Sequence, residues 1–368
     1  MSKRKIQVLA VAGARPNFMK IAPLLREMHA REVFTPVLIH TGQHYDESMS
    51  DGFFRDLGIP EPDANLGVGS GSHGDQTAQV LASIERELLA RRPDAVLVVG
   101  DVNSTIAATL AAVKLHIPVA HVEAGLRSGD RSMPEEINRL MTDVVCEWLF
   151  TTEPAGEENL LREGVDASRI HFAGNVMIDT LLQNVERARS LDLLERLGID
   201  PGAYAAVTLH RPSNVDDPAR LRELIEVLEE LNEKLPVVFP VHPRTAKAID
   251  SLDLGRAPRF KALTPLGYLE FLSLMADAKV VLTDSGGLQE ETTALGVPCL
   301  TLRDSTERPI TVTHGSNTVV GLDTAVLRNE LEKVLAGESK AGRVPEKWDG
   351  HAAERIVDIL ERDLGGAT

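Results

Sequence analysis

Short apolar runs rich in β-branched residues alternate with segments of helical periodicity along most of this chain. The first run, at residues 6–12, is followed by apolar residues at helical spacing over 18–28, and a second series of such pairs begins at 205–211. Strictly alternating strands and helices form parallel sheets with helices on both faces. The pattern therefore predicts an α/β protein with two doubly wound, Rossmann-like domains.

The length of the chain supports this division, because 368 residues exceed what one ordinary core accommodates. We predict an N-terminal domain at residues 1–180, a C-terminal domain at 181–350, and a final helix at 351–368 that packs back on the first domain. A charged, turn-rich stretch that ends near residue 202 would form the hinge.

Charge and hydropathy argue against several kinds of partner. The chain has 39 basic and 55 acidic residues, and the net charge of −16 is unsuited to a nucleic-acid or anionic-membrane surface. No apolar run approaches the ~20 residues of a membrane helix, so we expect a soluble protein.

Cys146 and Cys299 lie far apart with no Cys-x-x-Cys pair, which favours a reduced, cytoplasmic protein. His40 and His44 are separated by the helix breaker Gly42, so no metal site is predicted.

Residues 283–291 join a predicted buried strand to a helix through Ser285-Gly286-Gly287. Serine is a good N-cap, and the two glycines let a ligand approach backbone N–H groups that the first helical turn leaves unpaired. The helix dipole adds positive character there, so a phosphate or diphosphate is the favoured guest. Tight turns of this kind also occur without a ligand. The turn alone therefore does not distinguish a phosphate site from a purely structural turn.

Charged side chains follow several other predicted strands at their carboxyl ends, where open α/β sheets bind ligands. They are Arg15 with Lys20, Asp101, Glu123, His210, His242 and Arg308. Glu123 is the most informative, because a carboxylate on an otherwise apolar strand is costly unless it is paired or functional. Asp101 is explained equally well as a helix cap.

Glu135 also has a structural explanation. Ser132 and Glu135 have the spacing of a capping box, with Pro134 early in the first helical turn. Arg139, four residues further, is placed to pair with Glu135 on the helix surface.

Three stretches coincide with the motifs of a known family: residues 13–20 (GARPNFMK), 121–139 (HVEAGLR through PEEINR), and 284–291 (DSGGLQEE) with 306–309 (TERP). They resemble the non-hydrolysing UDP-N-acetylglucosamine 2-epimerases, and the similarity covers nearly the whole chain. The resemblance implies the glycosyltransferase-B fold, in which two Rossmann-like domains face a central cleft that holds the UDP-sugar. It also implies a homodimer that needs no cofactor.

Carried over position by position, the resemblance implies a catalytic set and a substrate-binding set. The catalytic set comprises Asp101, Glu123 and Glu135 as acid/base carboxylates and His210 near the phosphates. The substrate-binding set comprises Arg15, Lys20, Phe271, Ser285, Gly286, Gly287, Glu291 and Arg308. Within it, the Ser-Gly-Gly turn matches the diphosphate site and Glu291 the ribose contact.

The chain departs from the family pattern in several places. Asn-Phe at 17–18 stands where many members have Glu followed by a small residue, and Leu266 stands where a Gln is common. Gln43 and His242 match positions that hold a second, activating UDP-N-acetylglucosamine in bacterial members. The arginine expected near the Gly-rich loop is replaced by Ser-His-Gly-Asp at 72–75, which argues against allosteric activation.

The resemblance implies reversible epimerisation at carbon 2 of UDP-N-acetylglucosamine, by elimination of UDP to a glycal and re-addition. This isomerase chemistry would serve polysaccharide biosynthesis. Alternatives are a hydrolysing epimerase that releases N-acetylmannosamine, an epimerase of a modified UDP-N-acetylhexosamine, and a glycosyltransferase of the same fold. A non-catalytic nucleotide-sugar binder is disfavoured, because binding alone would not place several acids beside an anion site.

Overall fold

The computed structural model describes residues 4–43, 54–252 and 254–366, and for Arg15 the backbone alone. The chain forms two compact units. The N-terminal unit comprises Met1–Thr180 and Glu346–Thr368, and the C-terminal unit comprises Leu181–Pro345. In the described part of the chain, no helix has both the length and the apolar composition that crossing a bilayer requires.

The N-terminal unit is built on a parallel sheet of seven strands. They are β1 (Ile6–Ala12), β2 (Phe34–His40), β3 (Ala64–Asn65), β4 (Ala95–Val99), β5 (Val119–Val122), β6 (Trp148–Thr151) and β7 (Ile170–Phe172). Their spatial order is β3-β2-β1-β4-β5-β6-β7. The direction of winding therefore reverses between β1 and β4, and such a switch point is where open α/β sheets bind ligands.

Helices cover both faces of this sheet. They are α1 (Arg15–Ala30), α2 (His73–Arg91), α3 (Asn103–Lys114), α4 (Pro134–Val145), α5 (Pro154–Arg162), α6 (Val176–Arg189) and, at the end of the chain, α15 (Ala352–Gly365). Helix α3 is the most deeply buried, and its alanines let it approach the sheet closely. Helix α15 packs on α1, where Arg31 pairs with Asp358 at 2.7 Å and with Glu361 at 2.9 Å.

The C-terminal unit contains a second parallel sheet, of six strands. They are β8 (Ala205–Thr208), β9 (Val237–Pro240), β10 (Lys261–Leu263), β11 (Val280–Thr283), β12 (Cys299–Thr301) and β13 (Asn317–Val319). Their order is β10-β9-β8-β11-β12-β13, so the winding reverses between β8 and β11. A core of buried aliphatic residues with Phe239 and Phe260 lies under one face.

The helices of this unit follow its strands in turn. They are α7 (Leu193–Leu197), α8 (Pro212–Val215), α9 (Pro218–Asn232), α10 (Pro243–Asp250), α11 (Tyr268–Ala276), α12 (Gly286–Leu295), α13 (Pro309–Thr313) and α14 (Thr324–Leu335). The two doubly wound parallel sheets confirm the predicted α/β fold class. The chain passes from the first unit to the second within α6, at Thr180–Leu181.

Candidate active site

Each unit gathers charged side chains at the switch point of its sheet. In the N-terminal unit these are Lys20, Asp101, Glu123, Glu136 and Arg139, which we call the carboxylate cluster. In the C-terminal unit they are His210, Asp284, the Ser285-Gly286 turn and Arg308, which we call the anion cradle.

Glu123 and Lys20 form a direct ion pair in the carboxylate cluster. Glu123 is 4% exposed and Lys20 7% exposed, so each charge depends on the other for compensation. Glu123 has a φ of 73°, a left-handed conformation that non-glycine residues rarely adopt and that concentrates at functional sites. At Gly100, an added Cβ would lie 3.0 Å from Lys20 Nζ and 3.4 Å from Glu123 Oε2. Gly100 also has a φ of 65°, so a side chain there would be strained and would press on this pair.

Asp101 and Glu136 share one arginine. The Nε and Nη2 groups of Arg139 donate to Asp101 Oδ2 at 3.0 and 2.8 Å, and Nη1 donates to Glu136 Oε2 at 2.7 Å. Glu136 also accepts the N–H groups of Ser128 and Gly129. Burial acts to raise the pKa of Glu136, but these donors and Arg139 outweigh it and leave the pKa below its ordinary value. The cap of α3 is Val102 rather than Asp101.

The start of α4 differs from the capping box predicted for Ser132 and Glu135. The N-cap residue is Met133, and the Ser132 hydroxyl donates to Asp130 Oδ1 at 2.6 Å. The predicted pairing of Glu135 with Arg139 is also wrong. The first turn of α4 directs Glu136 inward, where it meets Arg139 and the loop N–H groups, and leaves Glu135 half-buried.

Three other positions singled out in the sequence of the N-terminal unit are Arg15, Gln43 and Asn17. Arg15 begins α1, but its side chain lies outside what the structure describes, as does His44. The Oε1 atom of Gln43 accepts both the N–H and the hydroxyl of Ser104, at 3.1 and 2.7 Å, so this side chain is held inside its own unit. Asn17 is 2% exposed, and its Oδ1 accepts two N–H groups of the turn before α1.

In the anion cradle, Asp284 fixes the ring of His210. The Nδ1 atom of His210 lies 2.9 Å from Asp284 Oδ1, while Asp284 also accepts the N–H groups of His210 and Arg211 and the amide of Asn214. Burial acts to raise the pKa of Asp284, but His210 and the other donors hold it below its ordinary value. Asp284 therefore sets the tautomer of a ring whose side chain is 40% exposed.

Arg308 lies against the Ser-Gly-Gly turn, although the two are far apart in the chain. An added Cβ at Gly286 would lie 3.0 Å from Arg308 Nη1. Gln289 ties the two segments together, because its Nε2 donates to Ser285 O and its Oε1 accepts the Thr306 hydroxyl at 2.6 Å. The Arg308 guanidinium thus lies beside the N-terminus of α12. The guanidinium and the helix N-terminus together form a site that suits a phosphate.

Glu291 lies deeper in α12 and is 4% exposed. Burial and the neighbouring Glu290 raise the pKa of Glu291 to about 8, and the Tyr268 hydroxyl lies 3.5 Å from its Oε1. Phe271 is partly buried one turn along α11 from Tyr268.

His242 is exposed and caps α10, with its Nδ1 accepting the N–H of Arg244. Partial burial, then the charges of His210 and Arg244, lower the pKa of His242.

The decisive comparison is with a family model. The model described as UDP-N-acetylglucosamine 2-epimerase matches residues 26–361. The chain belongs to this epimerase family. It is 42% identical to the UDP-N-acetylglucosamine 2-epimerase of Methanocaldococcus jannaschii over 95% of this chain and 97% of that protein.

The chain is also similar to a solved structure and to a second relative. The crystal structure of the Methanocaldococcus jannaschii enzyme in complex with UDP-GlcNAc and UDP superposes with a TM-score of 0.87, at 42% identity, and covers 97% of this chain and 100% of that one. The UDP-2,3-diacetamido-2,3-dideoxy-D-glucuronate 2-epimerase of Pseudomonas aeruginosa is 40% identical over 97% of this chain and 100% of that protein. The predicted family is confirmed, as is the predicted fold class of two Rossmann-like parallel sheets.

Residue-by-residue reasoning missed two residues of the candidate site, Glu136 and Asp284. Glu136 and Asp284 each hold a neighbouring charged group, and both lie inside motifs that had been noted for other residues. A buried carboxylate beside a motif residue is the signal that would have found them. In the described part of the chain, no group of three or more His, Cys, Asp or Glu side chains is arranged to hold a metal ion.

Proposed function

We propose that this epimerase interconverts UDP-N-acetylglucosamine and UDP-N-acetylmannosamine by inverting carbon 2 of the sugar. The observation that carries the proposal is the carboxylate cluster, in which Asp101 and Glu123 lie at the switch point with buried cationic partners. A protein that only bound a nucleotide sugar would not need paired carboxylates there. The relatives from Methanocaldococcus jannaschii and Pseudomonas aeruginosa are both named as 2-epimerases of UDP-sugars.

The reaction proceeds by elimination and re-addition. A carboxylate removes the proton from carbon 2 while the bond between carbon 1 and the UDP oxygen breaks, and the electron pair of that bond leaves with UDP. The products of this step are a 2-acetamidoglucal and UDP. Re-addition returns the UDP oxygen to carbon 1 and a proton to the opposite face of carbon 2. Two acid/base groups on opposite faces are required, and Asp101, Glu123 and Glu135 are the candidates.

The anion cradle stabilises the leaving group. The N–H groups at the start of α12, Arg308 and His210 would donate to the diphosphate as negative charge develops on it. One such donor contributes about 3 kcal/mol to the transition state when it is well placed. Glu291, whose pKa is raised by burial and by Glu290, would contact the ribose.

A modified UDP-N-acetylhexosamine is the second candidate substrate. The Pseudomonas aeruginosa relative, whose name specifies a diacetamido uronic acid, is nearly as similar as the Methanocaldococcus jannaschii enzyme. The departure at Asn17 does not decide between the two sugars, because its side chain is occupied in holding the turn before α1. Leu266 remains the position at which a sugar or base contact would differ.

Assembly and location complete the proposal. Helix α4 exposes a strip of apolar side chains on one face, Ile137, Met141, Val144 and Val145, and we assign this strip to the interface of a homodimer.

Cys146 and Cys299 are buried free thiols, which suits a reducing cytoplasm. UDP-N-acetylmannosamine formed there would supply polysaccharide biosynthesis.

Proton NMR in deuterated water tests the proposal directly. The purified protein is incubated with UDP-N-acetylglucosamine without acceptor or nicotinamide cofactor. We expect UDP-N-acetylmannosamine that carries deuterium at carbon 2, with little free UDP. Accumulation of free N-acetylmannosamine and UDP would indicate a hydrolysing epimerase. Turnover of only the 2,3-diacetamido uronate would establish the second candidate, and consumption only with an acceptor would indicate a glycosyltransferase.

A further inference from the structure

His121 is a fully buried histidine that the proposed chemistry does not use. It lies on β5, two residues before Glu123, and is 0% exposed. Its Nδ1 atom is 2.6 Å from Asp143 Oδ1 on α4, and its Nε2 atom is 2.8 Å from the carbonyl oxygen of Gly100. Both ring nitrogens therefore have partners at hydrogen-bonding distance.

Both partners are acceptors. Gly100 presents a carbonyl, and Asp143 is ionised, since its other oxygen accepts the N–H of Gly125 at 3.1 Å and pairs with Arg127 at 2.7 Å. Burial acts to raise the pKa of Asp143, but the charges of His121 and Arg127 outweigh it and leave the pKa below its ordinary value. Both ring nitrogens of His121 are therefore placed to donate, which is the hydrogen-bonding pattern of an imidazolium.

The pair connects the two turns that carry the candidate acid/base residues. Gly100 immediately precedes Asp101, and its N–H donates to Val122 O at 3.0 Å. At the other end, Asp143 holds the N–H of Gly125, two residues after Glu123. The chain of contacts therefore runs from the turn after β4, through the ring and the carboxylate, to the turn after β5.

Further charged groups surround the pair. Arg127, which pairs with Asp143, also pairs with Glu163 at 2.7 Å. Arg169 donates to the Asp143 carbonyl at 3.5 Å and to the carbonyl of Cys146. Burial, then Asp143, raise the pKa of the Cys146 thiol well above its ordinary value, so it is neutral. Asp143, in direct contact with the ring, is thus the group that compensates its charge.

We propose that His121 and Asp143 form a charged clamp that positions Asp101 and Glu123 for proton transfer at carbon 2. They are positioning residues, because neither side chain faces a substrate in the proposed chemistry. The kinetic part of this inference rests on the proposed epimerase function. The charge state of the ring does not, and it provides an independent test.

Two substitutions separate the halves of the clamp. His121→Asn keeps a donor near the position of Nδ1 and loses the donor to Gly100, whereas His121→Gln keeps the reach of Nε2 and loses the contact with Asp143. We expect kcat to fall about 10- to 100-fold in each, since misplacement of a reacting group by about 1 Å costs this much. We expect KM and the Kd for UDP to change less than about twofold, because the anion cradle belongs to the other unit.

His171→Asn is the matched control. His171 lies on β7 in the same sheet, is half-buried, and packs on Phe150 rather than on a site turn. We expect its kcat to stay within about twofold of the wild type. An unchanged kcat in both His121 variants, with native circular dichroism, would overturn the positioning role.

The charge on the ring is measured by NMR of wild-type protein labelled with nitrogen-15 in histidine, the His121 signal being assigned from backbone connectivities. We expect both ring nitrogens of His121 to be protonated in the folded wild-type protein, and Asp143→Asn to abolish this state. A neutral ring in the wild type would overturn the clamp even if the His121 variants fail to fold. Absence of wild-type turnover would refute the proposed function alone, and the NMR result would still decide the clamp.

Discussion

Buried charged residues in this protein have partners that hold them in one geometry. Glu123 is paired with Lys20 and Asp284 with His210, and in both cases the carboxylate lies at the carboxyl end of a strand. Removing one member of such a pair leaves an uncompensated buried charge, so stability and activity must be measured together in any variant.

Glu123→Gln tests whether the carboxylate of Glu123 is needed for proton transfer. The amide keeps the shape of the side chain but cannot accept the carbon-2 proton, so we expect kcat to fall about 10²- to 10⁴-fold with little change in the Kd for UDP. Turnover and calorimetric binding measure the two quantities. Glu158→Gln, an exposed position on α5, is the control. Asp101→Asn and Glu135→Gln complete the series, and wild-type turnover in all three would refute the assignment.

Glu291 makes stability depend on pH. Its pKa rises from 4.5 in the unfolded chain to about 8 in the folded protein, so between these values the folded state binds more protons than the unfolded state. The stability contribution is therefore present at low pH and is lost as the pH rises through about 8. We expect Glu291→Gln, which stays neutral, to flatten this dependence and to gain at least about 1 kcal/mol above pH 8. Denaturant unfolding at several pH values measures it, and an unchanged slope would contradict the assignment.

Helix α4 shows how one element serves two purposes. Its inward face carries polar side chains, Glu136, Asn138, Arg139, Thr142 and Asp143, and its outward face carries the apolar strip defined above. An ordinary surface helix has the opposite polarity. This inversion explains why the periodicity of α4 did not by itself reveal which carboxylate faces the site.

Met141→Glu tests the outward face of α4. Met141 is 48% exposed, so a carboxylate is tolerated in the monomer but would be desolvated in an interface. We expect the dimer to dissociate in sedimentation at micromolar concentration while the monomer keeps its secondary structure. Leu89→Glu, at an exposed apolar position on α2, is the control. A wild-type monomer, or a dimer retained in Met141→Glu, would contradict the assignment of the interface to this strip.

Gly286→Ala tests the start of α12. The added methyl would lie 3.0 Å from Arg308 Nη1, so the guanidinium must move away from the turn. We expect the Kd for UDP to rise about tenfold, equivalent to about 1.4 kcal/mol. Calorimetry measures the change. Gly74→Ala in α2, where the added methyl meets nothing within 4 Å, is the control, and equal UDP affinity in both variants would remove Arg308 from the diphosphate site.

At the scale of the whole molecule, the same topology occurs twice and is used differently. The N-terminal sheet ends in carboxylates at its switch point, whereas the C-terminal sheet ends in a histidine, a glycine turn and an arginine. We infer a division of labour, with proton transfer assigned to the first unit and diphosphate binding to the second.

Ligand-induced stabilisation tests this division. UDP at 100 times its Kd should stabilise the protein by about 2.7 kcal/mol, and N-acetylglucosamine alone should not. Because the cradle lies in the C-terminal unit, we expect Glu123→Gln to keep the shift in melting temperature and Arg308→Gln to lose most of it. Thermal unfolding with and without UDP measures both. Loss of the shift in Glu123→Gln would contradict the division of labour.

The sequence by itself determined the two parallel sheets and the positions of Asp101, Glu123, His210 and Ser285 at strand ends. This was possible because burial and secondary structure follow local periodicity, and the family motifs lie where those local patterns end. Glu135 marks the limit of this reasoning, since the helical i, i+4 spacing predicted Arg139 as its partner, whereas the fold pairs Arg139 with Glu136 and Asp101.

Only the tertiary structure decided which charged groups meet. Lys20 and Glu123 are separated by 103 residues and Arg139 and Asp101 by 38, and no local pattern encodes these pairs. They meet because the crossovers place β1, β4 and β5 side by side, and the low polarity of the interior then requires each buried charge to find a partner there. The imidazolium of His121 has the same origin, because its charge follows from two acceptors that the packing of β4 and α4 brings to one ring.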